Sequence, residues 1–203
     1  MLNDDLKSIS KRFTGKGVFP YQMAFTLLLP FRNLFLSPKT LIERLDLNRN
    51  HTVLEIGPGP GYFSLAVAKA LSQGVLYLFD IQQEMLNYAR QRLERRSQSN
   101  VQYYQASGAN FPFEDNVFDR IFLVTVLGEV ENRETYIREM ARTLKNDGFV
   151  SVSELKGDPD RLTENELTAL FQAAGFECCR KYETFWGLTI NYKKKGYGGT
   201  DGA

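Results

Sequence analysis

Three glycines at alternate positions, Gly57, Gly59 and Gly61, close an apolar segment in the run Glu55-Ile56-Gly57-Pro58-Gly59-Pro60-Gly61-Tyr62. Glycine lets the backbone turn tightly and lets a ligand approach the main chain, and a helix start directly behind such a turn offers free N–H groups. Pro58 and Pro60 stiffen the turn. A dinucleotide fingerprint, G-x-G-x-x-G, requires glycine at position 62, which is Tyr62, so the spacing argues against a nicotinamide cofactor and for a smaller ligand group at this turn. Glu55 adds a charge argument. A carboxylate within an apolar strand is costly unless a cation meets it, so the expected ligand is positively charged, with a salt bridge to a nearby lysine or arginine as the competing account. Asp80 follows Gly61 by nineteen residues and ends the next apolar run, where an open α/β sheet sets an acid against a ribose diol. With Gln83 behind it, Asp80 also reads as a helix N-cap and its box. Ribose binding is favoured because turn and acid hold matched positions in one β-α-β unit.

These groups need a scaffold, and the rest of the chain reads as one. From Thr52 onward, short apolar runs alternate with segments of helical period, the pattern of an open parallel sheet with crossover helices. Val53 to Ile56 reads as the first strand, followed by a helix with Phe63, Ala66, Val67, Ala70 and Leu71 on one face and Gly74 at its end. Val75 to Phe79 is a second strand, and its helix places Met85, Leu86, Ala89 and Leu93 inward. Arg90, Arg92, Arg95 and Arg96 crowd the end of that helix, where they match its dipole. Val101 to Gln105 is a third strand, and the unbroken run Ile121 to Leu127 is a central strand buried on both faces. Between them, Phe111 and Phe113 in a Pro-containing connection are expected to pack on the sheet. A helix with Ile137, Met140, Ala141 and Leu144 aligned is stopped by Asn146-Asp147-Gly148 and leads to a strand from Phe149 to Ser153. Thr163 to Glu166 is a capping box opening a helix with Leu167, Leu170, Phe171 and Ala174 inward, closed by Gly175. Two final strands, about Glu177 to Phe185 and Gly187 to Lys193, are close enough to form an antiparallel pair.

Composition narrows the function. A chain of 203 residues with 43% hydrophobic content closes one core. The charge of +1 gives no bulk reason to bind nucleic acid. A single histidine, His51, which reads as a surface or turn residue, removes Ser-His triads and histidine–zinc sites from consideration. Cys178 and Cys179 are adjacent, unsuited to a disulfide or a tetrahedral metal, and packing is expected of at least one. The polar start, Met1 to Arg12, has no apolar signal region, so a cytoplasmic protein is expected.

Four ordered segments together resemble a known family. Val53 to Gly61, Asp80 to Leu86, Asn110 to Asp119, and Arg138 to Lys145 with Gly148 are similar to the motifs of class I S-adenosylmethionine-dependent methyltransferases, most nearly the type 11 group that contains the ubiquinone and menaquinone biosynthesis enzymes. The resemblance implies an α/β, Rossmann-like fold: a mostly parallel seven-stranded sheet with a C-terminal antiparallel pair and helices on both faces. It implies S-adenosylmethionine as cofactor and S-adenosylhomocysteine as product. Glu55 with Gly57, Pro58, Gly59 and Gly61 would hold the methionine portion, Asp80 the ribose hydroxyls, and Ile81 the adenine face. Tyr62, Met85, Ser107, Gly108, Ala109 and Val124 complete the implied cofactor shell. The loop after the third strand reads Ala106-Ser107-Gly108-Ala109, where the family commonly carries an Asp, so Ser107 offers a hydrogen bond without charge. Thr125 to Glu129 lacks the Asn-Pro-Pro-Tyr type motif of amino-directed nucleic-acid methylases, which leaves a small-molecule acceptor.

Domain limits follow: 1–46 as an N-terminal helical cap over the acceptor pocket, 47–195 as the cofactor-binding domain, and the glycine-rich 196–203 as a tail. Phe19 to Leu36 is dense in Phe and Leu but interrupted by Pro30 and Arg32. It is expected to cover the sheet edge as a helical pair, with Tyr21 and Phe25 lining an apolar pocket, or to touch a membrane surface. Tyr21 and Tyr62 could face a sulfonium or simply pack. Glu129 is the candidate general base, with a surface acid at a helix start as its plain alternative. The expected function is methyl transfer to a small apolar acceptor such as a lipid or quinone precursor. The readings to be weighed against it are a non-catalytic cofactor-binding scaffold and a nicotinamide-dependent oxidoreductase.

Overall fold

A computed structural model describes residues 36–196. Tyr21, Phe25, most of the 1–46 cap and nearly all of the 196–203 tail lie outside the described residues. The elements in chain order are α1 (Pro38–Leu45), β1 (Thr52–Ile56), α2 (Ser64–Ala70), β2 (Val75–Asp80), α3 (Gln83–Glu94), β3 (Val101–Gln105), β4 (Phe118–Val124), a 3-10 turn (Leu127–Glu129), α4 (Arg133–Thr143), β5 (Leu144–Leu155), α5 (Glu164–Ala173), β6 (Phe176–Glu183) and β7 (Gly187–Lys194). The seven strands form one sheet in the order β3-β2-β1-β4-β5-β7-β6. β1 to β5 run parallel, and β7 runs antiparallel between β5 and β6. The Rossmann-like expectation is borne out. The order reverses between β1 and its neighbours β2 and β4, and open α/β sheets bind ligands at the carboxyl ends of strands beside such a switch point.

Two apolar layers hold the sheet. On one face Leu36, Leu41 and Leu45 pack with Val53, Val67, Leu76, Leu86, Leu93 and Phe122. On the other, Leu54, Ile121, Leu123, Ile137, Met140, Leu167 and Tyr192 form the core. The alternation along β1 and β4 is what period two dictates for strands covered on both sides. α1 begins with Ser37 accepting from the Thr40 N–H, and Arg120 Nε closes its far end by donating to the Leu45 carbonyl at 2.8 Å. Phe111 and Phe113 do pack on the sheet, edge-on to Phe79 at 4.9 and 5.6 Å. Arg142 fixes that connection, donating to the carbonyls of Phe111 and Phe113 and to Asp115 and Glu139.

Several local expectations are corrected. In α2 the buried positions are Ser64, Val67 and Ala68, because the helix starts one residue after Phe63 and turns Ala66 and Ala70 partly outward. β4 spans Phe118–Val124, since Thr125 takes a φ of 55° and ends the strand before Leu127. α4 ends at Thr143, and the residues from Lys145 to Gly148 bulge out of β5 between the pairs Phe118–Leu144 and Arg120–Phe149. Cys178 and Cys179 are both exposed, because β6 is an edge strand whose register shifts between Cys178 and Arg180. His51 is buried in a turn: its Nδ1 accepts from the Asn48 N–H, and its Nε2 lies 3.0 Å from Asn48 Nδ2.

Candidate functional site

The carboxyl ends of β1, β2 and β4 bring the glycine turn, Glu55 and Asp80 together. Gly57, Gly59 and Gly61 all take positive φ, at 64°, 54° and 78°. Gly57 N–H donates to the Phe79 carbonyl at 2.8 Å, which ties the turn to β2. A Cβ at position 57 would stand 2.5 Å from Val126 Cγ2, so glycine here satisfies both a backbone conformation and a close approach.

Asp80 is 7% exposed, and its carboxylate joins the two halves of the motif. Oδ2 accepts from the Gly59 N–H at 3.3 Å, and Oδ1 from the Gln82 N–H at 2.9 Å. The N-cap of α3 is Gln82, without a side-chain cap bond, so Asp80 does not cap that helix. Burial pushes the Asp80 carboxyl up to about 6, and the backbone N–H groups of Gln82, Gly59 and Ile81 only partly oppose it. Both carboxylate oxygens thus meet backbone N–H groups, and among the described residues no cation pairs with them.

Glu55 is buried in β1 and accepts from Ser64 Oγ at 2.6 Å, so the first residue of α2 orients it. Ile81, beside Asp80, is 57% exposed, an apolar side chain left open at the site. Ser107 and Gly108 are exposed in the loop after β3, which is anchored by the Ala106 N–H donating to the Asp80 carbonyl. Tyr62 packs edge-on to Phe63 at 4.9 Å, while Met85 and Val124 are buried. The structure therefore gathers Glu55, Gly57, Gly59, Asp80, Ile81 and the Ser107 loop at one end of the sheet. Met85 and Val124 lie beneath that surface. A groove of about 520 Å³ lined by Arg90, Glu94, Ser97 and Tyr103 lies at the opposite end of β3 and shares none of these residues.

A second group of acids stands past β4 and β5. Glu129 closes the 3-10 turn after β4, half-buried. Glu154, near the end of β5, is missed by sequence reasoning, although the signal that marks Glu55, an acid at a buried strand position, applies to it as well. It is 3% exposed with Oε1 buried and without a hydrogen-bond partner. Burial first, then the charge of Asp158, pushes its carboxyl up to about 8, against the opposing pull of Arg133 and Arg161; Glu129 adds to the rise. Two contacts build this region. Arg133 donates to the carbonyls of Leu127 and Gly128 at 3.0 and 2.7 Å, and Gly128 approaches Asp160 so closely that a Cβ would sit 1.9 Å from its carbonyl oxygen.

The residues present fit S-adenosylmethionine: a positive-φ glycine turn, the buried carboxylates of Asp80 and Glu55 and the exposed Ile81 are the kinds of group that a ribose diol, a cationic amine and an adenine ring would meet.

Comparison with known proteins agrees with this reading. Residues 54–152 match the family described as "Methyltransferase domain", type 11. The ubiquinone/menaquinone biosynthesis C-methyltransferase UbiE of Azotobacter vinelandii is 36% identical over 115 residues, which is 56% of this chain and 46% of that protein. The chain thus spans about half the length of the curated relatives it matches. A crystal structure of a SAM-dependent methyltransferase from Aquifex aeolicus superposes with a TM-score of 0.81 at 23% identity, covering 86% of this chain and 98% of that one. The structure of the [4+2]-cyclase SpnF gives 0.70 at 19% identity over 77% and 80% of the two chains, so the fold by itself does not specify the reaction. Motif, register and family match converge on residues 54–152, and that segment of the chain is a methyltransferase domain of the S-adenosylmethionine-dependent type 11 group.

Proposed function

We propose that the chain transfers a methyl group from S-adenosylmethionine to carbon on a small apolar acceptor of the quinone-precursor kind. The observation that carries this reading is the join between Asp80 and the glycine turn through the Gly59 N–H, in a chain whose curated relatives are named as C-methyltransferases. When bound, the cofactor supplies an electrophilic methyl on a sulfonium. The residues of this chain do the remainder. Glu55, oriented by Ser64 Oγ, meets the positive amine, and Asp80 accepts from the ribose hydroxyls. Ile81 covers an adenine face and Ser107 offers it a hydrogen bond. In-line displacement chiefly demands alignment and a water-poor cavity.

Methylation of an aromatic carbon also needs a proton removed from the acceptor, and this reading assigns that step to Glu129, just past β4. Glu154, protonated at neutral pH, keeps its own charge out of this region. Residues 1–35, with Tyr21 and Phe25, are assigned to the apolar acceptor pocket on sequence alone.

Calorimetric titration with S-adenosylmethionine, S-adenosylhomocysteine and NADH, followed by methyl transfer to quinol precursors, tests this reading. Binding of the first two alone, with labelled methyl appearing on the acceptor ring, is expected. Cofactor binding with no transfer to any apolar acceptor would support the scaffold reading instead. Glu129→Gln is expected to lower kcat at least tenfold, in the range of general-base loss, with cofactor affinity unchanged. Wild-type kcat in that variant would remove Glu129 from the mechanism.

A further inference from the structure

Four large apolar side chains stand exposed among the described residues, and two of them, Phe185 and Trp186, are neighbours at 80% and 48% exposure. They form the turn between β6 and β7, and their rings meet edge-on at 4.9 Å, making one convex knob. The backbone beneath is pinned on both sides. The Thr184 N–H donates to the Gly187 carbonyl at 2.8 Å, the Gly187 N–H donates to Thr184 Oγ1 at 3.1 Å, and the Lys156 N–H donates to the Trp186 carbonyl at 2.8 Å. Small polar residues favour such turns, so two aromatics add nothing that the turn requires.

The knob's position is informative. β5 runs parallel to β1 and β4, and its last residue, Leu155, pairs with Gly187 at the start of antiparallel β7. The Phe185–Trp186 turn therefore lies at the same end of the sheet as the glycine turn, Glu129 and Glu154. Three strand spacings separate β1 from β7, about 15 Å.

The flanking charges say what the knob fits. Lys156 pairs with Glu183 at 3.3 Å and Lys181 with Glu164 at 3.0 Å, so the two lysines that flank the turn are each matched by an acid. Among the described residues, no unpaired lysine beside the turn draws it to an anionic surface. A convex pair of side chains buries far less area than the roughly 1,200 Å² of a stable protein contact, whereas a bilayer interface accepts an isolated Trp–Phe pair without a complementary shape. We propose that the Phe185–Trp186 turn is a lipid-contacting prong that enters the neutral headgroup region of a bilayer and sets the acceptor end of the sheet against the membrane. The proposal rests on the reading that the acceptor is apolar and is taken from lipid.

Trp186 is the only tryptophan in the chain, so intrinsic emission reports this turn alone. The full-length protein is titrated with phosphatidylcholine vesicles, with and without brominated acyl chains. A blue shift, quenching by the brominated lipid and insensitivity to salt are expected, and Phe185→Ser should weaken vesicle partition about tenfold. Emission that stays unmoved overturns the proposal, whether the protein remains in solution or floats with vesicles through another segment. A blue shift that follows protein concentration without lipid also overturns it, since a second copy then covers the knob. Failure of the functional reading looks different: Phe185→Ser should methylate a detergent-dispersed acceptor as the wild type does while losing rate on vesicle-embedded acceptor. Absence of transfer in both formats, with the lipid response intact, would reject the apolar-acceptor reading and leave the prong standing.

Discussion

Asp80→Asn is the most discriminating substitution, because a binding role and a structural role predict opposite effects on stability. Burial raises the carboxyl from 3.8 to about 6, so at pH 7 the folded protein holds this group ionised at a cost of about 3 kcal/mol. The sign follows from linkage. The folded acid keeps its proton to higher pH than the unfolded one, so its stabilising proton is lost as pH rises from about 4 through about 6. Asparagine carries no charge and keeps an oxygen for the Gly59 or Gln82 N–H. The variant should therefore be more stable than wild type at pH 7 by about 1–3 kcal/mol, with the gap closing near pH 4. Binding should move the other way. Two hydroxyl-to-carboxylate bonds weakened by about 1–1.5 kcal/mol each amount to a loss of about 30- to 150-fold in affinity for S-adenosylmethionine. Wild-type affinity should itself fall about tenfold between pH 7 and pH 5, as the carboxylate is protonated, while the variant's affinity stays flat. Thermal melts and calorimetry across pH measure both. A variant that loses stability while keeping affinity and its pH dependence would refute the assignment and leave Asp80 as a turn residue.

Gly57→Ala forces a left-handed backbone on alanine and sets its Cβ 2.5 Å from Val126 Cγ2, so a stability loss of about 2–3 kcal/mol with weaker cofactor binding is expected by thermal melt and titration. Glu154→Gln should be neutral near pH 4 and increasingly stabilising as pH rises toward about 8, by about 3–5 kcal/mol, because over that range the unfolded acid ionises while the buried one must keep its proton; equal melting curves at pH 9 would place it in water. Arg142→Ala removes the donor to the Phe111 and Phe113 carbonyls and leaves Glu139 without its bidentate partner, so a loss of about 2 kcal/mol is expected in denaturant unfolding at neutral pH.

What could be read in the sequence was set by locality. The glycine turn, Asp80, the capping box at Thr163 and the strand β3 depend on neighbours within a few residues, and each stands where its pattern indicates. The misplaced boundaries depend on tertiary context. Apolar residues continue past Val124 to Leu127, yet Thr125 turns into a left-handed conformation and sends Val126 over Gly57, a contact between segments about seventy residues apart. Asn146-Asp147-Gly148 is locally a stop signal, but pairing of Leu144 with Phe118 absorbs it as a bulge. Glu154 escapes the pattern because the sequence signal for the strand stops at Ser153, two residues before the end of β5 at Leu155. Burial is expected of at least one cysteine because the residue type is often buried, and only the sheet order shows that β6 is an edge.

The two ends of the sheet treat their acids in opposite ways. At the amino end, Asp119 accepts from Lys145 Nζ and from the Thr52 N–H, both at 2.7 Å, and these bonds hold its carboxyl below the usual range despite the opposing effect of burial. That is an acid used to fasten β4 to β1 and β5. At the carboxyl end, Asp80 and Glu154 are more deeply buried, make no ion pair among the described residues and are pushed up to about 6 and about 8. Nothing in packing alone favours this arrangement, since a neutral residue of similar shape would be more stable at both positions. Strongly perturbed acids cluster at functional sites, and the two raised here stand at the end of the sheet assigned above to the cofactor. The Phe185–Trp186 turn stands at that same end, where the exposure of two aromatics has no use for the fold. Stability lost at this edge and kept at the other is what a binding face implies, and it explains why the variants proposed at Asp80 and Glu154 should fold more firmly than the protein they come from.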